Sequence, residues 1–354
     1  MNYPPTNVLG AALLSLLSAL TGPFTTAQPA WAQSDAAAQA AAWIGVGVSE
    51  MKLWHDDRAL EALHRALTLD GQAAPAHVLL GDLYFRRDEL TASVQHYEAA
   101  GRLDPNDVAV QDRLVMAREH AQADVAFHRL YTPHFLIKFQ PADRPLARDV
   151  GDSLESLYQA VGKQLSYLPA EPMTVILHSQ RTFAGLTGSP PWARGLFDGK
   201  IHIAARARPG GQAEIAAALA HEYVHAAVHR LSGGHAPTWL SEGLALSFER
   251  EREPSGEASP PRLSAADELI PLHALHGSFL GLSQQQASLA YADSLSGVRA
   301  LIDRYGMSQV ARLLHNLSDA PDFAETFEKT LGEPYREFEA RWTSSRQGSR
   351  AGTM

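Results

Sequence analysis

The sequence predicts an α+β protein in two parts: an all-α module of paired helices, then a mixed domain with a small β-sheet and a helical C-terminal half. Three observations carry that prediction. Small and large apolar residues recur at a 34-residue interval before residue 107, short alternating apolar segments begin near His134, and helical periodicity returns from about residue 212. The chain has 354 residues, 45% hydrophobic and 19% charged, a composition that excludes a mostly disordered protein. Its net charge of -9 argues against a duplex-binding face, so no nucleic-acid partner is expected. There is no cysteine, which excludes disulfide frameworks, cysteine-ligated metals, iron–sulfur clusters and thiol catalysis. Any metal must sit on His, Asp or Glu, and 16 histidines are available.

Residues 1–32 contain no Asp, Glu, Lys or Arg, and an apolar run from Val8 to Leu20 leads to Ala30-Trp31-Ala32, a small-x-small site. The pattern predicts a secretory signal peptide cleaved after Ala32 and an exported protein, periplasmic or secreted. The run of 13 residues is shorter than the roughly 20 that a spanning helix needs, so no stable membrane span is expected after cleavage. The n-region lacks Lys and Arg, which leaves an uncleaved anchor as the alternative.

Gly81, Tyr84, Ser93, Tyr97, Ala100 and Pro105 stand at the offsets of a helix–turn–helix repeat, and Gly47, Ala59, Leu63 and Ala66 stand at matching offsets 34 residues earlier. Residues 41–107 resemble two tetratricopeptide (TPR) units. Val108 to about Ala123 supplies a capping helix, giving a module over 41–124. It reads either as a docking surface for a peptide or protein partner or as a packing buttress. It is expected to be dispensable for any chemistry carried by residues after 200.

In the second part, strands are predicted at His134–Phe139, Met173–His178 and Gly199–Ala204, and a helix over 144–166 with Val150, Leu154, Leu157, Val161 and Leu165 on one stripe. An Ala-rich helix follows from about Gln212 to Leu231, ended by Gly233 and Gly234. Inside it lies His221-Glu222-Tyr223-Val224-His225. Histidines at i and i+4 share a helix face and can share one tetrahedral metal, while Glu222, about 100° around the helix, can reach a water there without being a ligand.

A third ligand is required, and three options differ in geometry. His229 continues the face at i+8 but lies ~12 Å along the axis from His221, too far for one ion, so it reads as a helix-surface or outer-sphere group. The metzincin spacing fails because positions 228 and 231 are Val228 and Leu231. Glu242, in Pro237-Thr-Trp-Leu-Ser-Glu-Gly243, returns beside the histidines if the next helix runs antiparallel. Gly243 would let those two helices close, and Trp239, Leu240, Leu244 and Phe248 would bury the second.

His221-Glu222-x-x-His225, sixteen residues, then Glu242 within Trp-Leu-Ser-Glu-Gly resembles the gluzincin metallopeptidases of the peptidase MA-like family. The resemblance covers roughly 128–342, including Ala290–Ser294, Val298–Tyr305 and Arg341-Trp342. It implies a thermolysin-like domain and one zinc per chain on His221, His225 and Glu242. It also implies peptide-bond hydrolysis assisted by Glu222 and a peptide or protein substrate. Tyr291 is the first candidate for the oxyanion donor, with plain packing as its other reading. The Gly-x-Met-Glu-Asn segment of the membrane-alanyl-aminopeptidase type is absent, and Leu246 stands where an Asp often follows the third ligand, so no carboxylate is visible to orient the imidazoles. Lys200–Ala204 reads equally as an edge strand that aligns substrate or as an inner strand. Residues 251–265 read as a solvated connection or a lid, Glu249–Glu251 as a solvated charge cluster, and 343–354 as a disordered tail. The rival function is a TPR-led binding scaffold that keeps a silent peptidase fold.

Overall fold

The computed structural model describes residues 30–189, 193–205, 211–251, 269–279 and 282–351. The expected signal peptide up to Pro29 and most of the 251–265 connection therefore lie outside the described residues. Five antiparallel helices come first: α1 (Ala30–Lys52), α2 (Asp56–Leu69), α3 (Ala74–Arg86), α4 (Leu90–Leu103) and α5 (Val108–Asp124). The 34-residue interval recurs in their packing. A Cβ on Gly47 would lie 2.7 Å from Leu63, and one on Gly81 would lie 2.5 Å from the Tyr97 ring, so each hairpin closes on a glycine under one large side chain. Ala59, Ala66, Ser93 and Ala100 are buried between the helices, and the Ser93 hydroxyl donates to the Gly81 carbonyl at 2.9 Å. The Asp107 carboxylate caps α5 by accepting from the amides of Ala109 and Val110. The helical array begins earlier than residue 41, since α1 already starts at Ala30.

The sheet has five strands, β1 (His128–Tyr131), β2 (Phe135–Phe139), β3 (Met173–Ser179), β4 (Gly195–Phe197) and β5 (Ile201–Ala205), in the order β1-β2-β3-β5-β4. The three central strands are parallel and both edges are antiparallel. Parallel neighbours need a crossover. Helix α6 (Arg144–Leu165) supplies the first, burying the predicted stripe against the sheet, and α7 (Gln180–Thr187) follows β3. The edge-strand reading of Lys200–Ala204 is corrected: that segment is β5, an inner strand, and the edge is β4, whose three residues carry too short a pattern to read. Strand β1 and helix α7 were equally invisible.

The C-terminal half is α8 (Gly211–Ser232), α9 (Thr238–Arg250), α10 (Gln284–Tyr305), α11 (Met307–Asp319), α12 (Phe323–Leu331) and α13 (Tyr335–Ala351). Gly233 and Gly234, with φ of 57° and 77°, reverse the chain between α8 and α9. Trp239, Leu240, Leu244 and Phe248 are buried as expected. Gly243 has a different partner from the one expected: its missing Cβ would lie 2.4 Å from the Ser294 carbonyl, so it admits α10 and not α8. The disordered-tail expectation is also corrected through Ala351. Helix α13 continues past residue 343, and Arg346 pairs with the buried Asp293 of α10 at 2.9 Å. One hydrophobic core joins the sheet to these helices, while the N-terminal helices hold separate small cores.

Candidate metal centre

Helix α8 is buried along most of its length, and His221 and His225 stand one turn apart on a partly exposed stretch of it. Their Nε2 atoms are 3.0 Å apart. The turn at Gly233-Gly234 brings α9 back alongside, and Glu242 Oε2 stands 3.5 Å from Nε2 of His221 and 3.4 Å from Nε2 of His225. Among the described residues this is the one group of three such side chains whose ligand atoms all lie close together. With metal–nitrogen bonds of about 2.0–2.1 Å, ligands on a tetrahedron stand about 3.4 Å apart, so the three atoms already hold the edges of such a figure.

The surroundings fix which way the rings face. Glu249 Oε2 accepts from Nδ1 of His221 at 2.8 Å, and Nδ1 of His225 is 2.8 Å from the Ser241 hydroxyl. With its proton on Nδ1, His221 turns a lone pair inward, and the Ser241 contact lets His225 do the same. Glu242 Oε2 is buried with no hydrogen-bond partner. Three such atoms facing one point could hold a metal ion, and two imidazoles with a carboxylate are a donor set that suits zinc. Burial pulls the His221 pKa down, but Glu242, Glu249 and Glu222 overcome it and raise it well above the ordinary value. Burial likewise opposes ionisation of Glu242, yet His225 and His221 hold its carboxyl far below the usual range. Both directions express one demand for positive charge at the Nε2 atoms.

Glu249 is the residue that sequence reading missed. It is not part of a solvated cluster: its side chain is buried, with Oε1 2.5 Å from Arg194 beside β4 and Oε2 on His221. Burial pushes its pKa up, but His221 and Arg194 bring it below the ordinary value. It stands two turns after Glu242 and so shares that residue's face of α9. An acidic residue at i+7, in place of the one missing at Leu246, was the available signal.

Glu222 is buried beside the cluster, against the backbone of β4. A Cβ at Gly195 would lie 2.5 Å from Glu222 Cγ and 2.7 Å from its Oε1. Burial raises its carboxyl pKa, with His221 and His225 working against the rise, a shift that suits a group exchanging protons near neutrality. Tyr291 on α10 is half-buried, edge-on to Phe279 at 5.5 Å. Burial and then the charges of Glu242, Glu222 and Glu249 raise its pKa, so its ring lies within the field of the site.

His229 does not join the cluster. Its ring meets Trp54 of the N-terminal module at 4.2 Å and Phe197 of β4 at 6.2 Å. Burial lowers its pKa to about 4. It is neither a helix-surface group nor an outer-sphere partner of the cluster, but part of the seam between module and sheet.

Residues 199–348 match the model of the Peptidase MA superfamily. This segment is a gluzincin-type metallopeptidase domain. The match takes in the His-Glu-x-x-His helix, Glu242 and all of the C-terminal helices, and it begins after β4. Comparison with curated proteins and with solved structures gives no match. The peptidase domain thus carries a His-His-Glu cluster consistent with a zinc site, and no helix among the described residues is long and apolar enough to cross a membrane.

Proposed function

We propose that the protein is an exported zinc-dependent peptidase that binds one zinc through His221, His225 and Glu242 and hydrolyses peptide bonds with Glu222 as its proton carrier. The observation that carries this reading is the convergence of three lone-pair donors within 3.5 Å, with the base that such chemistry needs one residue beyond the first. When bound, zinc supplies Lewis acidity and makes a water acidic enough to lose its proton near neutral pH. Glu222, buried and raised in pKa, takes the proton from the attacking water and returns it to the leaving amine. Gly195 keeps the strand backbone against that carboxylate, and Glu249 and Ser241 hold the imidazoles in orientation. The free edge of β4 is the main chain best placed to align an extended peptide, and Tyr291 is the side chain proposed to donate to the developing oxyanion.

Export rests on residues 1–32, whose apolar run and Ala30-Trp31-Ala32 call for cleavage after Ala32. N-terminal sequencing of the exported protein should give Gln33. A chain still carrying Leu13–Leu20 in the membrane fraction would make it an anchored enzyme.

The function is tested by metal analysis together with a peptide-library digest. About one zinc per chain is expected, with chelation abolishing cleavage and added zinc restoring it. A protein that holds zinc but cleaves nothing, and whose Glu222→Gln variant complements a deletion as well as wild type, would favour the scaffold reading, in which the paired helices dock a partner and the peptidase fold is silent.

A further inference from the structure

Among the described residues, two of the three non-glycine positions with positive φ, Trp54 at 58° and Asp88 at 65°, lie in turns of the N-terminal module. A left-handed backbone at a bulky residue is costly and persists where the surroundings over-determine it. Both turns face the peptidase domain. Trp54, between α1 and α2, stacks on Phe197 of β4 at 5.3 Å and meets His229 of α8 at 4.2 Å. Asp88, between α3 and α4, forms an ion pair with the buried Lys138 of β2, which also pairs with Asp124 at 2.6 Å.

Between these turns the end of α3 grips the β4–β5 connection. The Lys200 ammonium, 1% exposed, donates to the Phe85 carbonyl at 2.8 Å and lies 4.4 Å from the Phe85 ring centroid. Gly199, with φ of 110°, leaves no room for a Cβ, which would fall 2.4 Å from Arg86 Cγ. The Arg86 guanidinium covers the Trp54 ring at 4.5 Å, donates to the Met51 carbonyl at 3.0 Å and pairs with Asp56. Four residues before Gly199 on the same hairpin, Gly195 backs the Glu222 carboxylate.

We propose that the N-terminal helical module is a positioning element of the active-site edge strand, acting through Trp54, Arg86 and Lys200 on the β4–β5 hairpin that abuts Glu222. The module is then no detachable docking unit. Its first and second hairpin turns set the place of β4 relative to Glu222, and a molecule bound to the module could alter cleavage through these residues. The catalytic consequence rests on the peptidase reading; the mechanical one does not.

The test uses the full chain, zinc-loaded, with amide exchange as a readout independent of activity. In Trp54→Ala and Lys200→Met, amides of 195–205 should exchange about tenfold faster, the equivalent of about 1.4 kcal/mol. Zinc stoichiometry should be unchanged, and protection in α6 and α11 should stay at the wild-type level. Cleavage of a quenched-fluorescent mixed octapeptide library should lose a similar factor in kcat/KM, and Trp54→Phe should restore both. Exchange in 195–205 that stays at wild-type rate, or that rises equally throughout the domain, overturns the proposal. If the variants do not fold, the wild type decides in mild denaturant: amides of β4–β5 should open together with those of α2 and α3 as one unit, and separate opening overturns it. If exchange behaves as stated but no peptide is cleaved by the wild type, the peptidase reading fails and the positioning role stands.

Discussion

At the scale of single residues the proposed site separates ligands, base and supports. Glu222→Gln preserves shape and removes the base, so peptide hydrolysis should fall by about 10²–10⁴-fold while zinc content stays at the wild-type level. Metal analysis of the same sample distinguishes this from ligand loss. Glu242→Ala should strip zinc, since two imidazoles hold it poorly, whereas His229→Ala should keep it because that ring faces Trp54. The reverse pattern in a zinc titration would refute the ligand set. Glu249→Leu removes the acceptor on His221 Nδ1 and should weaken zinc affinity by about 10–100-fold, with Glu249→Gln recovering much of it. Affinity equal to wild type in Glu249→Leu would show that Ser241 and the helix alone fix the rings.

At the scale of elements, close packing explains the glycines. Gly81→Ala places a methyl against the Tyr97 ring and should destabilise by about 1–3 kcal/mol. Gly45→Ala on α1 meets nothing within 4 Å and should stabilise by up to about 1 kcal/mol. Urea midpoints of the two variants check both signs, and equal shifts would contradict the packing argument. Gly195→Ala belongs to β4: the added methyl must displace Glu222, so zinc should remain while cleavage falls. Cleavage at the wild-type rate would mean that the strand can retreat without cost.

The whole molecule adds a pH dependence, because its seam is lined with buried histidines. Burial lowers His178 to about 3 and His120 to about 4. His178 faces His202 at 2.9 Å, and His120 is 3.1 Å from the Leu186 carbonyl. An unfolded chain protonates such groups near ~6.5. Between that value and the folded ones, the unfolded state binds more protons, so stability is complete above about pH 6.5 and declines as pH falls toward 4. In a His221→Gln background, which removes both the zinc site and an imidazole whose raised pKa acts with the opposite sign in this window, the urea midpoint should drop between about pH 7.5 and 5. Adding His178→Gln should flatten the slope, and a profile already flat without that change would refute the account.

The sequence by itself determined what depends on local spacing. His221 and His225 at i, i+4 must share a helix face, Gly47 and Gly81 must sit in equivalent hairpins, and the stripe from Val150 to Leu165 must bury one side of α6. Glu242 was legible because a glycine pair between two helices forces a return. The tertiary structure decided everything that depends on which elements become neighbours. Glu249 is an ordinary surface acid in the sequence and becomes the support of His221 only when α9 lies along α8 and β4 brings Arg194 across it. His229 continues the metal-binding face by periodicity, yet the module covers it. β5 reads as well for an edge as for the interior until a three-residue strand pairs outside it. Covalent geometry fixes helical and strand periodicity over a few residues, while contacts between distant segments arise from packing the whole core, so no local pattern encodes them.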